Sequence, residues 1–193
     1  MRQANLFPTV IQEYDLSADP DLPLVKQLIA VHKTKPHGLL HGAESSYNLY
    51  EKQFLDAPEL AGFKQRMQDC VDSYISNMGI KPVSISSNWF NKMGKGQRVD
   101  NHRHEMSVVS GAFYVDADPG SVPLTLHSPI AAFKMFDFIQ QPNFNSSNHF
   151  DIDCVPGKLI LFPSWLEHST DVNSTDNRIT ISFNTVYKGY INS

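Results

Sequence analysis

Near the C-terminus, Arg178-Ile179-Thr180-Ile181-Ser182-Phe183-Asn184 alternates polar and apolar residues without a break. Successive side chains of an extended chain point to opposite faces. Ile179, Ile181 and Phe183 therefore share one face, and Arg178, Thr180, Ser182 and Asn184 the other. An ordinary half-exposed strand shows this pattern. So does a strand of a barrel whose polar lumen binds an anionic ligand. In the second case Arg178 grips a carboxylate through two parallel hydrogen bonds, with the Thr180 hydroxyl beside it.

The same β character extends back to about residue 81. Short β-rich runs, broken by Gly, Pro, Asn and Asp turns, predict strands over Val83–Phe90, Met106–Val115, Leu124–His127, Lys158–Phe162 and Arg178–Val186. The first third reads helical instead. After Asp19-Pro20-Asp21, residues Leu24, Val25, Leu28 and Ile29 follow at helical spacing, with His32 one turn on, until Lys35-Pro36-His37-Gly38 stops the helix. A second helix starts near Pro58-Glu59. Leu60, Phe63, Met67, Val71, Tyr74, Ile75 and Met78 mark its apolar face, and Gly79 ends it. Helices first and strands later predict an α+β, mainly β chain, in which helices brace a sandwich or barrel. With 193 residues and 41% hydrophobic content there is material for one core. The expectation is a single domain over 1–193, with helical support over about 1–80 and the β core over about 81–190. The Asn-rich stretch Gln140 to Asn148 reads as a long surface loop, either a lid or a plain connector.

Composition excludes several classes. Charged residues are 19% and the formal net charge is -4, so the basic face of an extended nucleic-acid surface is missing. Cys70 and Cys154 form no CxxC pair, which argues against a disulfide framework and a thiolate zinc site. No run of eighteen apolar residues and no secretory h-region is visible, so no membrane partner and a cytoplasmic location are expected. In that setting the glycosylation match Asn173-Ser174-Thr175 is idle.

Three of the eight histidines stand in informative places. His102 and His104 form an HxH pair just before a strong strand, so both imidazoles project to one face of an extended segment and can converge on one metal. Neutral imidazole suits Fe, Zn, Cu and Ni alike, and the spacing names no ion. Downstream, Gly157 to His168 reads as a turn, a buried strand, a Pro stop and then a histidine beside an aromatic wall, to which Trp165 belongs. Tyr114 shares strand parity with His102 and His104, so it points either into the lumen or into the core. Asn88 and Asn91 lie on opposite faces of their strand, so at most one reaches the lumen. His32, His37, His41, His127 and His149 carry no spacing argument and read as structural or surface residues.

An HxH pair, a distal histidine and an arginine about ten residues later resemble the 2-oxoglutarate/Fe(II) oxygenase superfamily, which usually carries His-x-Asp/Glu, a distal His and Arg-x-Ser/Thr. The chain is most similar to a group of uncharacterised bacterial and phage members. The resemblance runs through Asn88-Trp89-Phe90-Asn91, His102-Arg103-His104-Glu105-Met106-Ser107, Ser110-Gly111-Ala112-Phe113-Tyr114-Val115, Phe162-Pro163-Ser164-Trp165-Leu166-Glu167-His168 and Arg178 to Asn184. It is specific from about Ser84 to Val186 and weak over the N-terminal helices.

The resemblance implies a double-stranded β-helix (jelly-roll, cupin-like) core. It implies Fe(II) on His102, His104 and His168, with 2-oxoglutarate as cosubstrate held by Arg178 and Thr180 and touched by Tyr114. O₂ would be consumed, and an unknown prime substrate hydroxylated with release of succinate and CO₂. His104 stands where the superfamily usually has a carboxylate. Glu105 is the alternative ligand, and a site without a physiological metal is the third option. Two other functions fit the pattern: a cupin-like three-histidine dioxygenase that does not use 2-oxoglutarate, and a non-catalytic jelly-roll binding module. A homodimer is compatible with either exposed sheet edges or the helices.

Overall fold

A computed structural model of the chain describes residues 6–49, 53–131, 143 and 146–189. The stretch read as a loop at Gln140 to Asn148 falls largely outside them.

Both helices form where hydrophobic spacing places them. Helix α1 (Leu22–Val31) buries Val25 and Ile29, one turn apart, and carries Pro23 in its first turn, where no intrahelical N–H is needed. Helix α2 (Ala61–Met78) follows a 3₁₀ turn at Pro58–Leu60 and buries Phe63, Met67, Val71, Tyr74 and Ile75 along one face. Gly79 ends it in the left-handed region at φ 65°, and the Ile80 N–H closes back on the Ile75 carbonyl. Arg66 on α2 holds the buried Asp19 carboxylate through two nitrogens, at 2.5 and 2.7 Å, and so ties α2 to the start of α1.

The first third is not helical throughout, however. Strands β1 (Gln12–Asp15), β2 (Lys35–His37) and β3 (Leu40–Ser45) lie within it and join the main sheet. Residues Lys35-Pro36-His37, read as part of a helix stop, form β2. The reason is physical: Gln-Glu-Tyr-Asp and Lys-Pro-His have no apolar alternation of their own, and Pro36 suits only an edge strand. Their partners, the segment Lys158–Pro163 and β3, define them as strands.

The five expected strands are present, Leu124–His127 with the expected bounds and the other four with shifted ends. They are β4 (Val83–Met93), β6 (Val109–Ala117), β7 (Leu124–His127), β9 (Lys158–Pro163) and β11 (Arg178–Tyr187), joined by the short β5 (Arg98–Val99), β8 (His149–Ile152) and β10 (His168–Ser169). Strand β6 starts at Val109 and not at Met106, because Met106 sits in a turn at φ 61° with its side chain in solvent. The main antiparallel sheet runs β1-β9-β6-β11-β4-β3-β2, with β5 beside β3, and a smaller sheet runs β10-β7-β8. An isolated bridge between His102 and His168 links the β5 side of the large sheet to β10 of the small one.

Two cores result. Helices α1 and α2 pack on one face of the main sheet, where Phe63, Phe90, Phe113, Leu159, Leu161, Ile181 and Phe183 are buried. Between the sheets, Tyr114, Leu124, Leu126, Ile152, Ile160, Phe162 and Leu166 form the second core. Strand β9 serves both with alternate residues, which is why its sequence is apolar almost throughout. Gly111 pairs with Phe183 across β6 and β11, and a Cβ there would lie 2.1 Å from Phe183 Cζ, so the ring occupies the space of the missing side chain. This is the curled, two-sheet jelly-roll architecture that the resemblance implied. No helix of the described residues is long and apolar enough to cross a membrane.

Candidate metal centre

The two sheets leave a cavity of about 260 Å³ open between them. Its polar side is the alternating polar face of β11. Arg178, Thr180, Ser182 and Asn184 line it, whereas Ile181 is buried among the helix-side residues and Phe183, buried there too, only borders the cavity past Gly111. Strand β4 contributes Trp89 and Asn91. A bulge opposite Asn184/Thr185 shifts its parity, so Val83, Ile85, Asn88 and Phe90 face the helices. Asn88 accepts the Leu55 N–H at 2.6 Å, and of the two asparagines only Asn91 reaches the cavity.

His102, His104 and His168 converge at this cavity. Their candidate ligand nitrogens all lie within 4.8 Å of one another. His102 and His168 exchange both backbone hydrogen bonds, at 3.0 and 2.9 Å, and the His104 N–H bonds the Ser164 carbonyl at 2.9 Å. The bridge thus sets the first two rings side by side, with centroids 4.2 Å apart, and the i, i+2 spacing returns His104 to the same face. The Nδ1 of His102 is 2.8 Å from the Asp100 carbonyl, and that of His168 is 2.9 Å from the Leu166 carbonyl. A carbonyl only accepts, so each Nδ1 carries the proton, and each Nε2 keeps its lone pair.

Burial lowers the basicity of all three rings. It pushes His168 down to about 3, with the His102 charge adding to the effect. It pushes His104 down to about 4, again with His102 contributing, and it lowers His102 as well. All three are neutral at pH 7, the form that ligates a metal. Nitrogen ligands about 2.1 Å from one ion stand roughly 3 Å apart, so small ring rotations suffice to close the set. Glu105, the alternative ligand, has a side chain 80% exposed and pairs with Arg103 at 3.6 Å. It is not part of the converging group.

Arg178 is only 5% exposed. Its Nε donates to the Val122 carbonyl at 3.0 Å, Nη2 lies 3.5 Å from the Tyr114 hydroxyl, and the guanidinium sits 5.1 Å over the Tyr114 ring. Among the described residues no carboxylate pairs with it. A buried cation is ordinarily paired, so one left without an anion marks a site for one. Thr180, 5% exposed, lines the cavity one pleat further along the strand. Tyr114 is fully buried in the core between the sheets and also lines the cavity. Burial pushes its hydroxyl up to about 12, against the opposing pull of Arg178, so it stays protonated.

Several residues differ from their sequence reading. The aromatic neighbour of His168 is Phe162, at 4.8 Å between centroids, while Trp165 is 52% exposed. His37, read as structural or surface, lines the cavity beside Tyr47 and Trp89. No periodicity signals His37 or Tyr47, because the short strands β2 and β3 bring them in. The other histidines stay outside. His32 bonds the Leu28 carbonyl, His41 pairs with Asp100, His127 bonds Ser169, and His149 is exposed. Asn173, in the glycosylation match, is 1% exposed with its amide donating to the Gly94 and Thr175 carbonyls, so it is a buried staple.

The fold is shared with solved oxygenase structures. A prolyl-4-hydroxylase from Pseudomonas putida superposes with a TM-score of 0.64 at 12% identity, covering 94% of each chain. HygX from Streptomyces hygroscopicus, solved with nickel, 2-oxoglutarate and hygromycin B, gives a TM-score of 0.68 at 12% identity, covering 94% of this chain and 84% of that one. The viral collagen prolyl hydroxylase of Paramecium Bursaria Chlorella virus-1, in complex with 2-oxoglutarate, gives 0.57 at 11%, covering 92% and 96%. Among curated proteins none matches in sequence. Residues 87–184, just over half the chain, match the family profile described as "Putative 2OG-Fe(II) oxygenase", and this chain belongs to that family.

Proposed function

We propose that His102, His104 and His168 hold Fe(II) through their Nε2 atoms, and that Arg178 and Thr180 bind the far carboxylate of 2-oxoglutarate. The observation that carries this reading is the placement of a buried guanidinium, paired with no carboxylate among the described residues, in the same cavity as three neutral imidazoles. The donor set fits iron, since imidazole is a good ligand for it and no thiolate competes.

The bound iron and cosubstrate supply O₂-dependent oxidative decarboxylation, giving succinate and CO₂ and coupled to hydroxylation of a prime substrate. The chain's own residues prepare that chemistry. Asp100 and Leu166 carbonyls fix the tautomers of His102 and His168. Phe162, Leu124 and Tyr114 wall the cavity with apolar surface and limit water. The protonated Tyr114 hydroxyl orients the Arg178 fork and stands ready to donate to a carboxylate.

Residues 1–193 act as one domain in this reading, because β2 and β3 bring residues to the same cavity as the jelly-roll core. A reducing compartment such as the cytosol suits both iron(II) and the free thiols Cys70 and Cys154. Divergent histidines or a filled lumen would favour a mere binding module; among the described residues the three histidines converge at an open cavity, which supports the oxygenase reading, while the missing carboxylate ligand is what the binding-module and cupin-like alternatives rest on.

The test is anaerobic reconstitution with Fe(II) and 2-oxoglutarate, followed by exposure to O₂ and measurement of succinate. Succinate that requires Fe(II), O₂ and Arg178 is the expected outcome, with Arg178→Ala as the control. No succinate, together with no perturbation of an iron-site spectrum by 2-oxoglutarate, would exclude the reading.

A further inference from the structure

Beyond the three histidines the cavity continues along a wall of rings. Strand β4 supplies Trp89, the segment after β3 supplies Tyr47, and β2 supplies His37. Trp89 lies 6.0 Å from His104, Tyr47 5.0 Å from Trp89, and His37 5.1 Å from Tyr47, each in an edge-on arrangement. All three are half-buried, line the cavity and belong to none of the buried cores. Packing therefore does not account for them. Beside Trp89, the Asn91 Oδ1 is buried without a hydrogen-bond partner, so the amide offers a polar contact on the same side.

The charge around this wall is one-sided. Among the described residues, Arg103 and Arg178 line the cavity and no aspartate or glutamate does. With three neutral ligands, iron(II) and Arg178 bring three positive charges against the two negative charges of 2-oxoglutarate, and Arg103 is left out of this balance because Glu105 pairs with it. Aromatic faces attract cations. Uncompensated positive charge in a low-dielectric cavity acts over a longer range and opposes them.

We propose that His37, Tyr47 and Trp89 form the prime-substrate subsite, and that it takes a ring-bearing group that is neutral or anionic and rejects cations. This rests on the iron and 2-oxoglutarate reading above. The N-terminal strands β2 and β3 thereby complete part of the cavity wall.

The experiment uses the full chain loaded with Ni(II), which does not turn over, and 2-oxoglutarate. Three probes share one phenyl ring and differ in charge: phenylacetamide, phenylacetate and phenethylammonium. Ligand-observed NMR reads their dissociation constants. The amide and the carboxylate should bind about ten-fold or more tightly than the ammonium. Trp89→Leu should weaken both by about ten-fold, and Trp89→Phe should retain most of the binding. Tyr47→Leu, nearer the mouth, provides a second variant if Trp89→Leu does not fold by circular dichroism. The proposal is overturned if the ammonium binds as tightly as the others, if none of the probes binds, or if folded wall variants bind like wild type. Calorimetry of 2-oxoglutarate on the same wild-type samples separates the two levels. No 2-oxoglutarate binding overturns both readings, whereas binding without charge selection overturns this one alone.

Discussion

The two faces of β11 are equally hidden and chemically opposite. Ile181 and Phe183, facing the helices, are 0% and 1% exposed, and Arg178 and Thr180, facing the cavity, are each 5% exposed. Burial does not separate them; their partners do. Phe183 fills the space over Gly111 and packs into the helix-side core, with part of its ring bordering the cavity. Arg178 has one carbonyl, one long contact to a hydroxyl, the Cys154 thiol and an aromatic face, and no carboxylate among the described residues. One face is completed by the chain itself, and the other is arranged for something the chain does not contain. Stability and function therefore respond to different mutations one residue apart.

The largest expected effect is on the helix face. Phe183→Ala should lower unfolding stability by about 3–5 kcal/mol while the folded fraction keeps its 2-oxoglutarate affinity. Arg178→Met should do the reverse. Loss of one partner of a buried, hydrogen-bonded charge pair costs about 2–5 kcal/mol, so 2-oxoglutarate should bind about 100-fold more weakly. The metal-free protein should stay within about 1 kcal/mol of wild type, because an unpaired buried cation has been removed. Urea unfolding and calorimetry on both variants make the comparison. If Arg178→Met is the one that unfolds, the guanidinium is a structural member of the core and the distinction collapses.

A double-mutant cycle sharpens the packing side. Gly111→Ala alone forces a methyl against the Phe183 ring and should cost about 1–3 kcal/mol. In the Phe183→Ala background the same methyl enters the vacated space, so the two changes together should cost less than their sum. Simple additivity would mean that the sheet relaxes at Gly111 and the ring does not define it.

The same division governs what is legible in the sequence. The alternation of Arg178 to Asn184, the HxH spacing of His102 and His104, and the helical faces of α1 and α2 are written in local periodicity, and the fold honours each. Strands β1 to β3 are not: their residues are polar or mixed, and only pairing with β9 and β4 makes them strands. His37 and Tyr47 reach the cavity through those strands, so no local pattern could mark them. Trp89 stands within the resembling stretch Asn88 to Asn91, but its inward direction depends on the bulge opposite Asn184/Thr185. Nearness in sequence points to Trp165 as the aromatic neighbour of His168. Phe162 takes the place because it ends β9 on the lumen side. That His102 and His104 share a face is readable from their spacing, and that His168 joins them only from the family resemblance, whereas the width of the cavity they face is readable from neither.

Acid provides a smaller test of the cavity side. His168 and His104 have folded pKa values of about 3 and about 4, below the value near 6.5 of an unfolded histidine. Between those limits the unfolded chain binds more protons, so falling pH favours unfolding. The metal-free protein should hold its full stability above about pH 6.5 and lose it steadily as the pH falls toward 4. His168→Gln should flatten this slope. Urea midpoints at several pH values measure it, and a wild-type midpoint that does not change between pH 7.5 and pH 5 would mean that the rings are not desolvated as described.

The smallest expected effect lies one step behind Arg178. Asn173 Oδ1 accepts the Val122 N–H at 3.0 Å, and the Val122 carbonyl accepts the Arg178 Nε–H at 3.0 Å. Asn173 therefore positions the guanidinium through Val122 without touching the cavity. Asn173→Ala removes the anchor and should weaken 2-oxoglutarate binding about five-fold, the equivalent of one neutral hydrogen bond. A purely structural role would lower Ni(II) and 2-oxoglutarate affinity together. A positioning role lowers the second and leaves the first, because the histidines are held by the His102–His168 bridge and not by Asn173. Calorimetry with Ni(II) alone and then with 2-oxoglutarate distinguishes the two. Equal losses would return Asn173 to the chain-completed side of the molecule, with Phe183 and Gly111.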